Sequence, residues 1–196
     1  MIEFLYSIDV AVFRFINSTL ANPLTDKLMP FITDVRNWYL LYIFLWFLIL
    51  FKGGRYRVGL AIGMILLVVV SDQLSSVLLK SLFARPRPCK VLENVHLLVG
   101  CTDSYSFPSS HAVNNFAAAM FFTYFYRHLK WILFSVASVM ALSRIFVGVH
   151  YPSDVLGGAL IGMGIGYLMA VIYNFILVNI YSLKIFGLKS NTPKGD

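Results

Sequence analysis

The chain has 196 residues, of which 59% are hydrophobic and only 13% are charged, and its mean hydropathy is +0.76. Soluble domains carry about a quarter of charged residues, so this composition excludes an ordinary soluble domain and predicts a single membrane-embedded domain over residues 1–196. The net charge of +7 does not indicate a nucleic-acid partner, because the positive residues lie between long apolar runs. The predicted partner is the lipid bilayer.

Residues 1–30 are the least apolar part of the chain. Glu3, Ser7, Arg14 and Asn17 fall near one stripe of a helix, and bulky apolar side chains occupy the remainder. This pattern predicts an amphipathic helix that lies in the membrane interface. A sixth, weakly apolar span is the alternative.

Five longer apolar runs follow, and the first needs to extend back toward Asp34 to reach the length of a span, about 20 residues. The runs are Trp38–Phe51, Val58–Leu79, Ala112–Tyr126, Trp131–Val149 and Val155–Phe186. The predicted fold class is therefore all-α, a polytopic transmembrane helix bundle with five spans and an N-terminal amphipathic or sixth helix.

The connecting segments predict the orientation of this bundle. Basic residues occupy the segment between the first two spans, the segment between the third and fourth, and the tail, namely Lys52, Arg55, Arg57, Arg127, Lys130, Lys184, Lys189 and Lys194. The positive-inside rule places these segments in the cytoplasm. The segments around 80–110 and 150–154 then face the opposite side of the membrane.

Two cysteines, Cys89 and Cys101, lie in the outward segment. An oxidising compartment permits a disulfide between them, and closure of so short a loop contributes roughly 3 kcal/mol on the chain-entropy model. Two unpaired thiols are the alternative.

The first of three polar clusters on the outward side follows the second apolar run. It contains Lys80, Arg85 and Arg87, with prolines at positions 86 and 88. Prolines end a helix and favour extended backbone before them, so the arginines are expected in a stiff loop. An arginine fork suits the paired oxygens of a phosphate. Snorkelling anchors at a helix end are the alternative for each cation alone.

The second cluster, Ser109, Ser110 and His111, precedes the third apolar run. The free N–H groups at the start of a helix form an anion site, and a histidine in the first turn can donate a proton to that anion. Ser109 alone is also a good helix N-cap, and a lone histidine is more often a packed residue.

The third cluster joins the fourth and fifth runs. Gly148 and Pro152 predict a turn that carries His150, and Asp154 falls in the first turn of the next helix. A carboxylate there can accept the Nδ1 proton of His150 and leave the Nε2 lone pair exposed, as nucleophile and orienting group do in a catalytic triad. Arg144 adds a permanent cation. Asp154 also suits a helix N-terminus on electrostatic grounds.

These clusters together resemble the three signature motifs of the type 2 phosphatidic acid phosphatase superfamily, from residue 80 to about 166. The matching patterns are Lys80-x6-Arg87-Pro88, Pro108-Ser109-Ser110-His111 and Ser143-Arg144-x5-His150-x3-Asp154. One position departs from the family pattern, because Ser110 stands where the family usually has glycine. The family position is expected to contribute a backbone N–H to the phosphate site, and the backbone N–H of Ser110 is expected to do the same.

The resemblance implies a membrane-embedded lipid phosphatase in which His150 forms a phosphohistidine, Asp154 holds its tautomer, and His111 protonates the leaving oxygen. The implied phosphate-binding residues are Lys80, Arg87, Ser109, Ser110 and Arg144. No metal and no cofactor is implied. Arg85 is off the motif spacing and is expected to contact a headgroup or the interface.

The implied substrate is a lipid phosphate of the bacterial envelope, at a site on the outer face of the inner (cytoplasmic) membrane. Lipid A 1-phosphatases and undecaprenyl diphosphate phosphatases are the nearest groups, and phosphatidylglycerol phosphate and phosphatidic acid remain candidates. A membrane protein that binds or transports phospholipid without hydrolysis is the alternative function. Two further features are expected to be structural: the Gly158, Gly162 and Gly166 series as a packing surface, and Asp72 as a polar contact between helices.

Overall fold

The computed structural model describes the backbone of residues 2–54 and 57–190 and the side chains of residues 3–54 and 57–179. Within these ranges the regular structure is entirely helical, which confirms the predicted all-α class. The α-helices are α1 (Ile2–Arg14), α2 (Pro23–Thr33), α3 (Tyr39–Lys52), α4 (Arg57–Gln73), α5 (Lys80–Phe83), α6 (Pro88–Val91), α7 (Ser110–Phe125), α8 (Lys130–Phe146) and α9 (Pro152–Ser190). Of the basic residues behind the topology prediction, Arg55, Lys184, Lys189 and Lys194 lie outside the described side chains.

In the described part of the chain, four helical segments are long and apolar enough to cross a bilayer alone, and they correspond to four of the five predicted spans. They are Val35–Lys52, Arg57–Val91, Arg127–Phe146 and Pro152–Asn179. The fifth predicted span is α7, which has 16 residues and is therefore about 24 Å long, shorter than the hydrocarbon core of about 30 Å. It lies at the centre of the bundle and packs most extensively on α9.

The N-terminal segment consists of two helices that meet at an angle of 113°. The bend is encoded locally, because Asn22 caps α2 in a capping box with Thr25 and Pro23 occupies the first helical position. The side chain of Asn17 donates a hydrogen bond to the carbonyl oxygen of Phe146, the last residue of α8, at 2.8 Å. The hydroxyl of Thr33, the last residue of α2, accepts a hydrogen bond from Arg144 in the last turn of α8 at 2.6 Å. The segment before the bend and the last residue of α2 thus contact the same end of α8. Together the two helices are apolar enough for one broken span or a re-entrant segment, so the interfacial placement of this segment stays a prediction.

Glycines on α9 bring its backbone against that of α7. A Cβ atom added at Gly162 would lie 2.3 Å from the carbonyl oxygen of Val113, and one at Gly166 would lie 2.2 Å from that of Ala117. Real side chains do not tolerate such distances, so the predicted packing role of this glycine series is confirmed. The same contact fixes the start of α7 beside the start of α9, where an added Cβ at Gly158 would lie 2.8 Å from the carbonyl oxygen of Ser109.

The segment between α5 and α7 is closed by a disulfide between Cys89 and Cys101, 12 residues apart. The closed loop leads directly to Ser104, whose carbonyl and hydroxyl oxygens both accept hydrogen bonds from the guanidinium of Arg87 at 2.8 Å. The disulfide therefore restrains Ser104, the hydrogen-bond partner that holds the predicted phosphate-binding residue Arg87 in place.

Replacing both Cys89 and Cys101 with serine is expected to lower the unfolding free energy by about 3 kcal/mol, because the unfolded chain regains the entropy of an open loop. The thermal unfolding midpoint in detergent measures this effect. A reducing agent should lower the midpoint of the unsubstituted protein and leave the double-serine variant unchanged. Equal midpoints for the two oxidised proteins would contradict the prediction.

Candidate active site

Several helix ends and connecting loops converge at one end of the bundle. The first of these loops begins after α5 with Ala84, which has a φ of +45°, and it carries Arg87 in extended conformation. The expectation of a stiff, extended stretch holds only as far as Arg87. Pro88 instead begins the short helix α6, because proline is well suited to the first position of a helix.

The second loop at this end of the bundle is the turn between α8 and α9. Gly148 has a φ of +85°, a conformation that side-chain-bearing residues rarely adopt, and Pro152 begins α9. His150 lies between them outside both helices. The predicted turn is therefore confirmed, and it holds the imidazole at the base of the site with 1% of the residue exposed.

Contacts on both ring nitrogens of His150 define its tautomer. Nε2 lies 3.3 Å from an Nη atom of Arg87, and since a guanidinium only donates hydrogen bonds, Nε2 must accept. The proton therefore resides on Nδ1, which lies 3.5 Å from a carboxylate oxygen of Asp154. Burial lowers the pKa of His150 to about 3; the contact with Asp154 raises the pKa, and the charges of Arg87 and Arg144 lower it. The ring is thus neutral at neutral pH, with its lone pair toward the cations.

Asp154 is completely buried and fully engaged in hydrogen bonds. One oxygen accepts from the Ser106 hydroxyl and from the backbone N–H of Tyr151 at 2.8 Å, and the other pairs with Arg85 at 2.6 Å. Arg85, which was expected to contact a headgroup or the interface, thus pairs with the orienting carboxylate of the site. The sequence analysis also missed Ser106, whose hydroxyl is 3.5 Å from Nδ1 of His150, since it belongs to no motif.

Three cationic side chains gather near His150: Arg87 and Arg144 act on its charge directly, and Lys80 interacts with both arginines and also with Asp72 and Asp154. Lys80 and Arg87 are buried, with 7% and 4% exposed. In the described part of the chain, none of the three lies within 4 Å of a carboxylate. Arg144 donates from one Nη to the hydroxyl of Thr33 at 2.6 Å, while its buried Nε has no hydrogen-bond partner.

The two serines before α7 have different environments. Ser109 occupies the N-cap position, but its side chain makes no capping bond, and its buried hydroxyl has no partner. The capping alternative is thus wrong for this side chain. The hydroxyl of Ser110 lies 3.0 Å from that of Ser76, which in turn donates to Asp72. Asp72 also accepts from Asn114 at 3.2 Å, which confirms its interpretation as a polar contact between helices.

His111 lies in the first turn of α7, where the initial backbone N–H groups have no acceptor within the helix. Its Nε2 is 3.1 Å from the carbonyl oxygen of Thr33; a carbonyl only accepts, so Nε2 carries a proton. Thr33 therefore contacts His111 through its carbonyl and Arg144 through its hydroxyl. No sequence pattern marked Thr33, because its partners are far away in the chain.

The structure thus brings every predicted site residue to one end of the bundle. Within the described ranges, no group of three or more His, Cys, Asp or Glu side chains is arranged to hold a metal ion. The arrangement instead offers converging cations, unpaired donors at a helix start and a neutral imidazole with an outward lone pair, a combination suited to binding and attacking a phosphate.

Comparison with known proteins gives matches across most of the chain. Residues 58–177 match the sequence model of the PAP2 superfamily. The chain is 30% identical to a lipid A 4'-phosphatase of Bacteroides thetaiotaomicron, over 93% of this chain and 84% of the relative. It is 29% identical to undecaprenyl-diphosphatase BcrC of Bacillus subtilis, over 75% of this chain and 74% of the relative. The crystal structure of Aquifex aeolicus LpxE superposes with a TM-score of 0.69 at 33% identity, covering 82% of this chain and 93% of that one.

Proposed function

The chain belongs to the PAP2 superfamily and is a membrane phosphatase, and we propose that it removes phosphate from an amphiphilic lipid of the bacterial envelope through a phosphohistidine at His150. The observation that supports this proposal is the charge imbalance of the site. Lys80, Arg87 and Arg144 converge without a carboxylate within 4 Å in the described residues. Buried cations without partners are costly, and a phosphate group supplies the missing negative charge and hydrogen-bond acceptors.

In the first step, Nε2 of His150 attacks phosphorus as the bond from phosphorus to the lipid oxygen breaks. The leaving oxygen takes a proton from the imidazolium form of His111, whose Nε2–H contacts the carbonyl oxygen of Thr33 in the free site, and His111 becomes a neutral imidazole. The nonbridging oxygens gain negative charge in the transition state, and fixed donors aimed at that charge supply the largest part of catalysis. The three cations, the Ser109 hydroxyl and the N–H groups of Ser110 and His111 take this role.

In the second step, His111 accepts a proton from water as the water oxygen attacks phosphorus. The bond between phosphorus and Nε2 breaks, inorganic phosphate leaves, and His150 regains its lone pair. The Asp154 carboxylate faces Nδ1–H of His150 in both steps without taking its proton, and it stabilises the positive charge that the ring acquires on phosphorylation. Both histidines thus return to their starting protonation states.

The apolar surface beside the site supports a lipid substrate. Leu82 on α5 and Leu156 on α9 belong to helix ends that form the site, and 72% and 66% of these residues are exposed. Exposed leucines of this kind contact lipid in a membrane, so a substrate held by its acyl or prenyl chains reaches the phosphate site laterally. We propose lipid A carrying a 1-phosphate or undecaprenyl diphosphate as substrate, with phosphatidylglycerol phosphate as a further candidate. The site faces the periplasm in this proposal.

The direct test is phosphate release by the purified full-length protein in detergent from each of these lipids. We expect release from lipid A or undecaprenyl diphosphate, and no loss of activity in EDTA, because protein cations supply the charge that a metal otherwise provides. Mass spectrometry of the lipid A product distinguishes loss at position 1 from loss at position 4', the position named for the Bacteroides relative.

Two outcomes of the same assay would contradict the proposal. Saturable lipid binding without turnover of any substrate would favour a binding or transport protein. Activity that EDTA removes and a divalent metal restores would contradict the metal-independent mechanism.

A further inference from the structure

We propose that Asp9, on the N-terminal helix and outside the residues that match the family, is a positioning residue that sets the net charge behind His150. This inference rests on the proposed function, because it concerns the charge that the His150 ring acquires when it is phosphorylated. Asp9 acts through Arg85 and Asp154 and does not touch the phosphate.

Asp9 and Asp154 share one guanidinium. Arg85 contacts Asp9 at 2.7 Å through one Nη and Asp154 at 2.6 Å through the other. The side chain of Asp9 is 9% exposed and that of Asp154 is fully buried. The chain of contacts thus runs from α1 to the orienting carboxylate, and from there to Nδ1 of His150.

The bridging guanidinium is fixed from several directions. It lies over the ring of Tyr151, 4.1 Å from the centroid, and it donates to the hydroxyl of Ser153 at 2.7 Å. The carbonyl oxygen of Arg85 also accepts from the N–H of Ser106 at 2.7 Å. Arg85 therefore has little freedom to move when the charge around it changes.

The charges of these groups explain the need for Asp9. Asp9, Arg85 and Asp154 together carry one net negative charge, which lies behind the His150 ring and balances the positive charge that forms there. Without the Asp9 carboxylate, Arg85 and Asp154 form a neutral pair, and the phosphorylated ring lacks compensation. Low solvent access strengthens this effect, because buried charges are weakly screened.

Asp9 also anchors α1 to α9, and the test has to separate this structural role. One oxygen of Asp9 accepts from the backbone N–H of Ser153 at 2.9 Å. Asp9→Asn retains an oxygen that can accept this bond, but it removes the negative charge. Tyr6→Phe is the matched control, because it removes a different anchor of α1, the contact between the hydroxyls of Tyr6 and Tyr151 at 3.3 Å.

For Asp9→Asn we expect kcat to fall about tenfold, with KM changed by less than about twofold. Tyr6→Phe should keep the kcat of the unsubstituted protein. The double variant Asp9→Asn/Arg85→Gln restores one net negative charge, so its kcat should exceed that of Asp9→Asn. Phosphate release at saturating and limiting lipid gives these values, and the unfolding midpoint in detergent checks each variant for folding.

A kcat for Asp9→Asn within twofold of that of the unsubstituted protein would overturn the inference. So would a double variant whose fold-loss in kcat equals the product of the fold-losses of the two single variants. Should Asp9→Asn not fold, Asp9→Ser replaces it, because it removes the same charge, and the double variant Asp9→Ser/Arg85→Gln should again be more active than the single Asp9 variant. His150→Ala is assayed in parallel. Activity in His150→Ala would refute the proposed function, whereas an inactive His150→Ala beside a fully active Asp9→Asn would refute only the role of Asp9.

Discussion

Replacing His150 with alanine is expected to lower kcat by about 10⁴-fold or more, as the loss of a catalytic nucleophile does in other enzymes. Nε2 is the atom that attacks the lipid phosphate in the first step of the proposed mechanism, and its contact with Arg87 at 3.3 Å leaves its lone pair directed at the cations. Phosphate release from the preferred lipid measures the effect, and the initial rate is compared at equal amounts of folded protein.

His128→Ala is the control for this substitution. His128 is exposed and precedes α8, at the opposite end of that helix from Arg144, so the variant should retain full activity. If His150→Ala kept more than about one hundredth of the activity, another group would have to be the nucleophile, and the assignment of His150 would be wrong.

The second large effect is expected for Arg144→Lys, which should lower kcat/KM by about 10²-fold, as removal of one fixed donor to a transition-state oxyanion does. One Nη of Arg144 is already held by Thr33, and the buried Nε has no partner. The remaining N–H groups present a planar fork for two phosphate oxygens. Lysine keeps the charge but supplies neither the fork nor the fixed direction.

Arg127→Lys is the matched control, because Arg127 is an exposed arginine before the start of α8, far from the turn that carries His150. It should leave kcat/KM unchanged. Equal activities of Arg144→Lys and the unsubstituted protein would show that position 144 contributes charge alone, and would remove the bidentate contact from the mechanism.

The parts of the site that the sequence predicted correctly are those set by local chemistry. Gly148 and Pro152 determine the turn around His150 through their own backbone preferences. Glycine tolerates a positive φ, which Gly148 adopts, and proline suits the first position of a helix, which Pro152 occupies. The glycine series on α9 likewise encodes close approach to α7. The basic segments between spans predicted that the three clusters share one side, and in the structure they do meet at one end of the bundle.

The parts that the sequence did not predict depend on contacts between distant residues. Asp9 and Arg85 are 76 positions apart, and Ser106 and Asp154 are 48 apart, so no spacing rule connects them. Arg85 was expected to contact a headgroup or the interface because it lies off the motif spacing, and only the fold shows that it pairs with two carboxylates. Thr33 was missed for the same reason, since the bend before α2 carries it back to the site.

The central claim is that phosphate is transferred to His150 before it reaches water. The most direct measurement is a rapid acid-free quench of the protein with lipid carrying labelled phosphate, followed by mass spectrometry of the peptide that contains residues 144–154. Our account predicts a phosphate on the imidazole of His150 during turnover, and no labelled peptide from His150→Ala. Label on a different residue, or steady turnover without any labelled protein under the same quench, would contradict it.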